Sequence, residues 1–192
     1  MAYAVFESTN MKSTHFAERI FDAKNIDADI ENGTFGYLSV PAGTDYDYDI
    51  KKFNAGTSAG EAVVVADNPE WNEDMLNAGR TAKLRRDEYV NKKGVPFRAR
   101  VIGKNDKFAV TIDAFTSATQ TVVTGASKVE GIYVTIDSTT GKLVAAASAP
   151  SGTPVMVGVI QKARICGTAI ATTAHNYGHA TTLYEILVTK LA

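Results

Sequence analysis

Two segments decide the predicted fold of this chain: Ala62-Val-Val-Val-Ala-Asp-Asn-Pro-Glu70 and, further along, Phe97-Arg-Ala-Arg-Val101. The first contains a compact run of valines, which is typical of a strand buried on both faces. Asn68, Pro69 and Glu70 then offer a helix cap, a residue suited to the first helical position and a favourable charge for the helix dipole. The sequence therefore predicts a buried strand followed by a short helical excursion near residues 69–91.

The second segment alternates between apolar and basic residues, and Lys107 to Phe115 also alternates. Gly103-Lys-Asn-Asp106 between them is a turn signal. We therefore predict an antiparallel hairpin. Its first arm points Phe97, Ala99 and Val101 to the core and Arg98 and Arg100 outwards, and its second arm groups Phe108, Val110 and Ile112 on one face.

The rest of the chain reads as a series of short strands separated by Gly, Pro, Ser and Asp turn signals. Turns at such intervals are typical of a small β-barrel or sandwich. Together with the short helical excursion, they predict a mainly β (α+β) fold. The predicted strands are Thr121 to Val123, Ile132 to Ile136, Lys142 to Ala146, Pro154 to Ile160, Ala163 to Ile165 and Thr182 to Thr189.

The first 60 residues differ in character from the remainder. Met11 to Asn25 is a helix candidate, with Ser13 or Thr14 as its cap and apolar residues near one face. Glycines break the pattern from residue 27 to residue 60. We expect an extended N-terminal arm or lid there, which either pairs with a neighbouring molecule's sheet edge or folds back over its own core. The predicted division is an N-terminal region, residues 1–60, and a mainly β core domain, residues 61–192.

The composition argues against several classes of protein but indicates no partner. The 192 residues include 20 basic and 21 acidic side chains without a long run of one sign, so neither nucleic acid nor an acidic membrane surface is indicated. Cys166 is the single cysteine, which excludes an internal disulfide and suits a reducing compartment. The start of the sequence lacks a signal-peptide pattern, and the apolar runs are far shorter than the ~20 residues of a membrane span. We expect a soluble protein.

The acidic stretch Asp45-Tyr-Asp47-Tyr-Asp49 places three carboxylates on one face of an extended segment. A calcium-binding EF-hand loop requires Gly at its sixth position and Glu at its twelfth, where this chain has Ile50 and Gly56. We interpret the stretch as a solvated strand face or as an electrostatic contact for a basic patch on a partner.

The remaining candidate sites are two histidines and one basic cluster. His175 and His179 are four residues apart, but Gly178 argues against a helix and no Glu follows the first His, so we predict a loop rather than a zinc site. A pocket that gathered both histidines, Glu185 and an acidic-stretch carboxylate would favour an enzyme. Lys83 to Arg86, with Arg80, is interpreted as a solvated face or a contact for acidic protein. We therefore predict no catalytic, cofactor or metal residues.

Two parts of the sequence resemble phage proteins. The strand ending in Asn-Pro-Glu70, the pattern Tyr89-Val-Asn91-Lys-Lys-Gly94 and the arginine-bearing strand resemble virion structural proteins encoded beside the major capsid protein in phages of Gram-positive bacteria. Gly131-Ile-Tyr-Val-Thr-Ile-Asp-Ser-Thr-Thr-Gly-Lys-Leu-Val144, followed by Thr153 to Ile160, is similar to the β-domain of lambda-type head decoration proteins.

The resemblance implies a head decoration or cement protein and not an enzyme. Such a protein would bind the major capsid protein and copies of itself, without specific nucleic acid or a membrane. It would be made in the host cytoplasm and end on the capsid surface of the virion. A minor capsid or head-tail joining protein is the alternative, followed by an enzyme of unknown type.

Overall fold

A computed structural model describes residues 3–40, 49–68, 89–166 and 181–192, with the side chains of Cys166 and Thr181 excepted. Within these residues the protein is mainly β, as predicted. Five strands close into a barrel and six form a separate sheet. The elements in chain order are β1 (Phe6–Asn10), α1 (Lys12–His15), β2 (Ile20–Lys24), β3 (Phe35–Ser39), β4 (Lys51–Ala55), β5 (Val64–Ala66), β6 (Phe97–Val101), β7 (Lys107–Val110), α2 (Ser117–Thr124), β8 (Tyr133–Ile136), β9 (Leu143–Ala146), β10 (Met156–Cys166) and β11 (Thr181–Leu191).

The barrel closes in the order β2-β4-β3-β5-β6, with β6 pairing back onto β2. The β2–β4 pair is parallel and the other four pairs are antiparallel. The prediction of a fully buried valine strand is confirmed, because all three residues of β5 are buried. The phenylalanine rings of β4 and β6, Phe53 and Phe97, pack edge to face in the interior at a centroid distance of 5.3 Å.

The region before residue 60 supplies three of the barrel strands, β2, β3 and β4. The helix predicted from Met11 to Asn25 is wrong for most of its length. It is a single turn, α1, and Ile20–Lys24 is strand β2 because this segment pairs with β6 and β4. The described part of residues 27–60 is neither an arm nor a loop over the core, because it supplies β3 and β4 to the barrel. The barrel crosses the predicted boundary at residue 60, and the domain division itself stays a prediction.

The second assembly is a six-stranded sheet in the order β1-β7-β11-β10-β8-β9, antiparallel throughout. The predicted hairpin of β6 with β7 is wrong, because β6 belongs to the barrel and β7 lies between β1 and β11. The turn between them is a crossing from one assembly to the other. Its Asp106 carboxylate accepts hydrogen bonds from the backbone N–H of Gly103 at 2.7 Å and of Lys12 at 3.0 Å.

The later strands follow the prediction with two exceptions. The hairpin of β8 with β9, and the strands β10 and β11, are confirmed. Thr121 to Val123, predicted as a strand, lies in helix α2, which buries Val123 and packs against β9. The two strands predicted as Pro154 to Ile160 and Ala163 to Ile165 are one continuous strand, β10.

The barrel and the sheet share a hydrophobic core, which is distinct from the barrel's own cluster around Phe53 and Phe97. Phe35 of β3 contacts Phe108 of β7 at a ring-centroid distance of 5.5 Å, and Phe6 of β1 stacks on the same ring at 5.5 Å. All three side chains are buried to 2% exposure or less. Their contact holds the two assemblies together through buried apolar area.

A backbone joint, made of Phe35, Gly56, Ser138 and Gly141, connects the tip of the β8–β9 hairpin to the barrel. Phe35 N–H donates to Gly141 O at 2.9 Å, and Gly56 N–H donates to Phe35 O at 3.0 Å. The N–H of Thr57 donates to Ser138 O at 3.2 Å. Both glycines have positive φ, +96° at Gly56 and +69° at Gly141, and a Cβ on either would meet backbone atoms at close to 2 Å. The joint therefore requires glycine at both positions.

The same hairpin turn is organised by Asp137. Its Oδ1 accepts hydrogen bonds from the backbone N–H of Thr140 at 2.7 Å, from the Thr140 hydroxyl at 2.7 Å and from the N–H of Thr139 at 3.1 Å. These donors, the Thr140 N–H first, hold the pKa of the Asp137 carboxyl below its usual value of 3.8. The predicted turn chemistry of Asp137 to Gly141 is thus present.

We predict that Asp137→Ala lowers the free energy of unfolding by about 1 kcal/mol at neutral pH, because hydrogen bonds accepted by an exposed carboxylate stabilise the folded state by about this amount. Since the folded-state pKa is depressed, the stabilisation is full above the unfolded value of 3.8 and is lost as the pH falls through the lower folded value. Urea unfolding at several pH values measures this. Asp137→Asn, which keeps an acceptor oxygen, should lose less. A difference from wild type that stays constant down to pH ~2 would contradict the assignment.

Candidate interaction surface

The strands β10 and β11 extend beyond their neighbours, and residues 164–166 and 181–183 form a two-stranded ribbon. The outer edge of β10 pairs with β8 at Gly158 and Val159, and Ile160 exchanges backbone hydrogen bonds with the residues just before β8. On the other side, β7 pairs with β11 only from Tyr184 to Leu187. Within the described ranges, no strand pairs with the outer edge of β10 past Ile160. We call this segment, Lys162–Cys166, the β10 extension.

A β-bulge precedes the β10 extension. Ile160 lies opposite Ile186, whereas Lys162 lies opposite Glu185, so Gln161 is an extra residue in β10. Bulges bend a strand and increase its twist. This bulge lies where β10 loses its pairing with the segment before β8, so it separates the part of β10 that pairs there from the β10 extension.

The pairing register tells which side chains share a face. Glu7, Ala109, Glu185 and Lys162 lie opposite one another across four strands, and directly opposed residues point to the same side of a sheet. The next row, Phe6, Val110, Tyr184 and Ala163, points to the other side, where Phe6 and Val110 belong to the shared core. The face that carries Lys162 is therefore the outer face of the sheet.

Two ion pairs lie on this outer face. Lys162 Nζ is 3.4 Å from Glu185 Oε2, and the Glu185 residue is only 8% exposed. Arg164 donates to the Glu7 carboxylate, although Arg164 is on β10 and Glu7 is on β1, so that pair spans β7 and β11. A small buried cluster, Val5, Ala109 and Leu183, lies on the same face between its two ends. The four charges sum to zero, which makes this face a mixed rather than a basic surface.

The β10 extension has exposed side chains on both faces. The Lys162 side chain is 56% exposed, the Arg164 side chain is 35% exposed, and the Ile165 residue is 73% exposed. Ala163 is also exposed. The β10 extension thus carries two ion-paired cations on the outer face and two apolar side chains on the other face.

A second feature, the polar clamp, consists of Asn32, Asn68, Tyr89 and Asn91. The Asn68 side-chain amide donates to Tyr89 Oη at 2.6 Å, and Asn91 Nδ2 donates to Asn32 Oδ1 at 3.0 Å. Asn32 Oδ1 also accepts the backbone N–H of Asn68 at 3.1 Å. Residues 68 and 89, which flank segment 69–88, are therefore joined at one place on the barrel. The predicted excursion near 69–91 lies outside the described residues except for its last three.

A buried ionic cluster lies beside the clamp and includes a correction to the prediction. Arg100, expected to face solvent, is 7% exposed; its Nε donates to the Asp67 carboxylate, and a terminal nitrogen donates to Ser13 O at 3.2 Å. Arg98 Nε donates to Asp67 O at 2.6 Å. Burial lowers the pKa of the Arg98 guanidinium, and the adjacent Asp67 opposes this shift. Each charge has a partner, so the cluster fixes the end of β5 against β6.

The structure describes only part of the candidate chemistry that the sequence offered. Glu185 is buried and paired with Lys162, while His15 and Asp49 are exposed. Among the described residues, no group of three or more His, Cys, Asp or Glu side chains can hold a metal ion, and no described helix is long and apolar enough to cross a membrane. The candidates outside the described residues are Asp45, Asp47, Arg80, Lys83 to Arg86, His175, His179 and the side chain of Cys166.

The sequence interpretation missed Lys162 and Arg164. Both were overlooked because β10 was divided into two short strands at Gln161 and Lys162. The alternation from Lys162 to Ile165 continues the pattern of a single strand across a one-residue irregularity, and it was the available signal. The sequence carries no signal for the point at which β10 passes beyond β8, because that depends on where β8 ends.

Comparisons with known proteins found no relative of this chain. No family model matches the sequence, and neither a curated protein nor a solved structure matches it. The class that the structure defines is a mainly β protein in which a closed five-stranded barrel and a six-stranded sheet are joined by a hydrophobic core between them. The phage resemblance stays a prediction from the residues quoted for it.

Proposed function

We propose that this protein is a virion structural protein, a head decoration or cement protein that binds and stabilises a phage capsid lattice. The observation that carries the proposal is that the residues with the decoration-protein resemblance form three adjacent strands, β10, β8 and β9, of one sheet. Among the described residues, no strand pairs with β10 past Ile160. Strand edges bind extended segments through main-chain hydrogen bonds, with little demand on sequence.

The residues that carry the decoration-protein resemblance form one unit in this fold. Gly131 to Val144 contains β8, most of the turn-bearing hairpin and the start of β9, and Thr153 to Ile160 enters β10. These strands are adjacent in the sheet in the order β10-β8-β9. The resemblance therefore falls on contiguous structure beside the β10 extension, which supports the proposal.

A capsid lattice allows many weak contacts to act together. Each capsid offers many equivalent sites, and a protein that contacts both the lattice and its own copies gains avidity without a strong individual interface. The β10 extension suits binding through many weak contacts, since a single strand offers a few hydrogen bonds rather than a large apolar area. The proposed partners are accordingly the major capsid protein and further copies of this chain.

Quantitative mass spectrometry of purified particles tests the proposal. A decoration protein is expected in amounts proportional to the major capsid protein, on the order of hundreds of copies, because it follows the lattice symmetry. About a dozen copies would instead identify the head-tail joining alternative. Particles made without the protein should release their DNA at a lower temperature than complete ones. Absence of the protein from purified particles would contradict a virion role, and unchanged heat resistance would contradict the cement role.

A further inference from the structure

The polar clamp contains the single Asn-Gly pair of the sequence, Asn32-Gly33. In such a pair the backbone nitrogen of the glycine can attack the side-chain carbonyl carbon of the asparagine, because glycine has no side chain that hinders the approach. Asparagine is one of the thermolabile residue types of proteins. The clamp therefore includes a residue that is chemically suited to deamidation.

The reaction has two steps, and water is its co-reactant. The backbone nitrogen of Gly33 forms a bond to Cγ of Asn32 while the bond from Cγ to Nδ2 breaks. The leaving nitrogen takes up the proton of the Gly33 N–H and departs as ammonia. Water then opens the cyclic imide at one of its two carbonyl carbons, which gives aspartate or isoaspartate. A neutral amide thus becomes a carboxylate without any change in oxidation state.

The folded protein holds both reacting groups. Asn32 is 2% exposed, and its Oδ1 accepts hydrogen bonds from the Asn68 backbone N–H at 3.1 Å and from Asn91 Nδ2 at 3.0 Å. Its Nδ2 donates to Asn68 O at 2.9 Å. The attacking nitrogen is also engaged, because the N–H of the buried Gly33 donates to Ala66 O at 2.8 Å. Attack therefore requires that the polar clamp opens first.

Deamidation removes a donor that the clamp uses. A carboxylate oxygen replaces Asn32 Nδ2, so two acceptors face each other where Nδ2 now donates to Asn68 O. The new charge also lies at a buried position, which is costly without a counter-ion. Isoaspartate lengthens the backbone between residues 32 and 33 and displaces the Gly33 N–H from Ala66 O. Both products therefore oppose closure of the clamp.

We propose that Asn32 is a deamidation site, that the polar clamp protects it in the folded protein, and that its conversion to aspartate or isoaspartate breaks the clamp. The clamp joins residues 68 and 89, so the conversion makes their release from each other irreversible. The inference does not rest on the proposed virion role, since it concerns only bonds within one chain.

Peptide mass mapping of the full-length protein in mildly alkaline buffer measures the conversion of residue 32 over time. The synthetic peptide Asp-Ile-Glu-Asn-Gly-Thr-Phe-Gly, copied from residues 29–36, gives the unprotected rate. We expect the folded protein to react about a hundredfold more slowly than the peptide, because three hydrogen bonds of Asn32 must open first. Equal rates for the protein and the peptide would overturn the proposal. A peptide that reacts no faster than its Gly33→Ala counterpart would overturn it too.

Two variants distinguish opening of the clamp from a general loss of stability. Tyr89→Phe removes the hydroxyl that accepts the Asn68 amide at 2.6 Å, and it should accelerate deamidation about fivefold, the effect of one hydrogen bond. Asn54→Ala is the matched control, because it removes a side-chain hydrogen bond to Ser39 Oγ, at 2.9 Å, elsewhere on the barrel. It should leave the rate unchanged. If Tyr89→Phe reacts as wild type does, or if both variants accelerate the reaction equally, the clamp is not the protection and the proposal is wrong.

The consequence of the modification is tested by hydrogen exchange. Asn32→Asp should speed the exchange of the backbone amides of Gly33 and Asn91, which donate to Ala66 O at 2.8 Å and to Ile30 O at 2.9 Å. Wild-type protein that has deamidated after folding should show the same change, and this second sample does not require the variant to fold. Unchanged exchange at both amides would show that the clamp accommodates the carboxylate, which would contradict the proposal.

Discussion

Asp67→Ala is expected to lower the free energy of unfolding by about 3–5 kcal/mol, because it leaves a buried guanidinium without its counter-ion. Arg100 is 7% exposed, and its Nε donates to the Asp67 carboxylate. Its other contact, to Ser13 O at 3.2 Å, is with a neutral oxygen. The removed carboxylate also lies 3.5 Å from Arg98. Urea unfolding followed by circular dichroism measures the change in the unfolding midpoint and free energy.

Two further variants test whether the unpaired buried charge causes this loss of stability. Asp27→Ala removes an exposed ion pair with Lys52, whose charged atoms are 3.6 Å apart, and should cost less than about 1 kcal/mol. The double variant Asp67→Leu with Arg100→Met replaces both buried charges by apolar groups and should be more stable than Asp67→Ala alone. Equal losses for Asp67→Ala and Asp27→Ala would show that the buried charge is not the cause.

Gly141→Ala is expected to destabilise the protein by about 3 kcal/mol or more, because it combines backbone strain with a steric clash. The residue has a φ of +69°, and an added Cβ would lie 2.0 Å from Phe35 O and 2.9 Å from Gly56 N. These are backbone atoms of the joint, so no side-chain rotation relieves the contact. The barrel and the hairpin tip must separate, which lengthens the hydrogen bond from Phe35 N–H to Gly141 O. The thermal midpoint and the urea midpoint should both fall.

Gly94→Ala is the matched control. Gly94 has a similar φ of +77°, but nothing lies within 4 Å of an added Cβ. It should therefore cost only the conformational strain, about 1 kcal/mol. The difference between the two variants isolates the clash at the joint. If Gly141→Ala were no more destabilising than Gly94→Ala, the close approach of the hairpin to the barrel would be contradicted.

Local chemistry explains which parts of the fold could be predicted from the sequence. The β8–β9 hairpin was predicted because Asp137 and Gly141 occupy a turn whose hydrogen bonds lie within a few residues. The valine strand β5 was predicted because an uninterrupted apolar run is buried wherever it lies. Both signals are complete within a short window of sequence.

Long-range pairing explains the errors. Nothing between β6 and β7 shows that the turn crosses from barrel to sheet, because Asp106 is held partly by the backbone of Lys12, 94 residues away. Alternation placed Arg100 outside, but its partner Asp67 follows another strand and is 33 residues away. Thr121 to Val123 has strand-forming residues, yet tertiary packing of α2 on β9 overrides that preference.

The candidate surface likewise combines a local signal, which was predictable, with long-range pairing, which was not. The alternation of Lys162 to Ile165 is present in the sequence and predicts two faces of one strand. That this strand continues past its pairing with β8 is a property of the assembled sheet. Sequence can thus supply the side chains of the surface, while their neighbours are set by topology.

The position of β11 has a consequence for the order of folding. All five barrel strands lie between residues 20 and 101, but β11, residues 181–191, lies between β7 and β10 in the sheet. A ribosome makes the chain from its N-terminus, so β11, which pairs with both β7 and β10, is synthesised after them. We expect ribosome-bound chains that end near residue 150 to protect the barrel from protease and to leave β7 cleavable. The sheet can then close only once its central strand arrives, which makes non-local pairing the slow step.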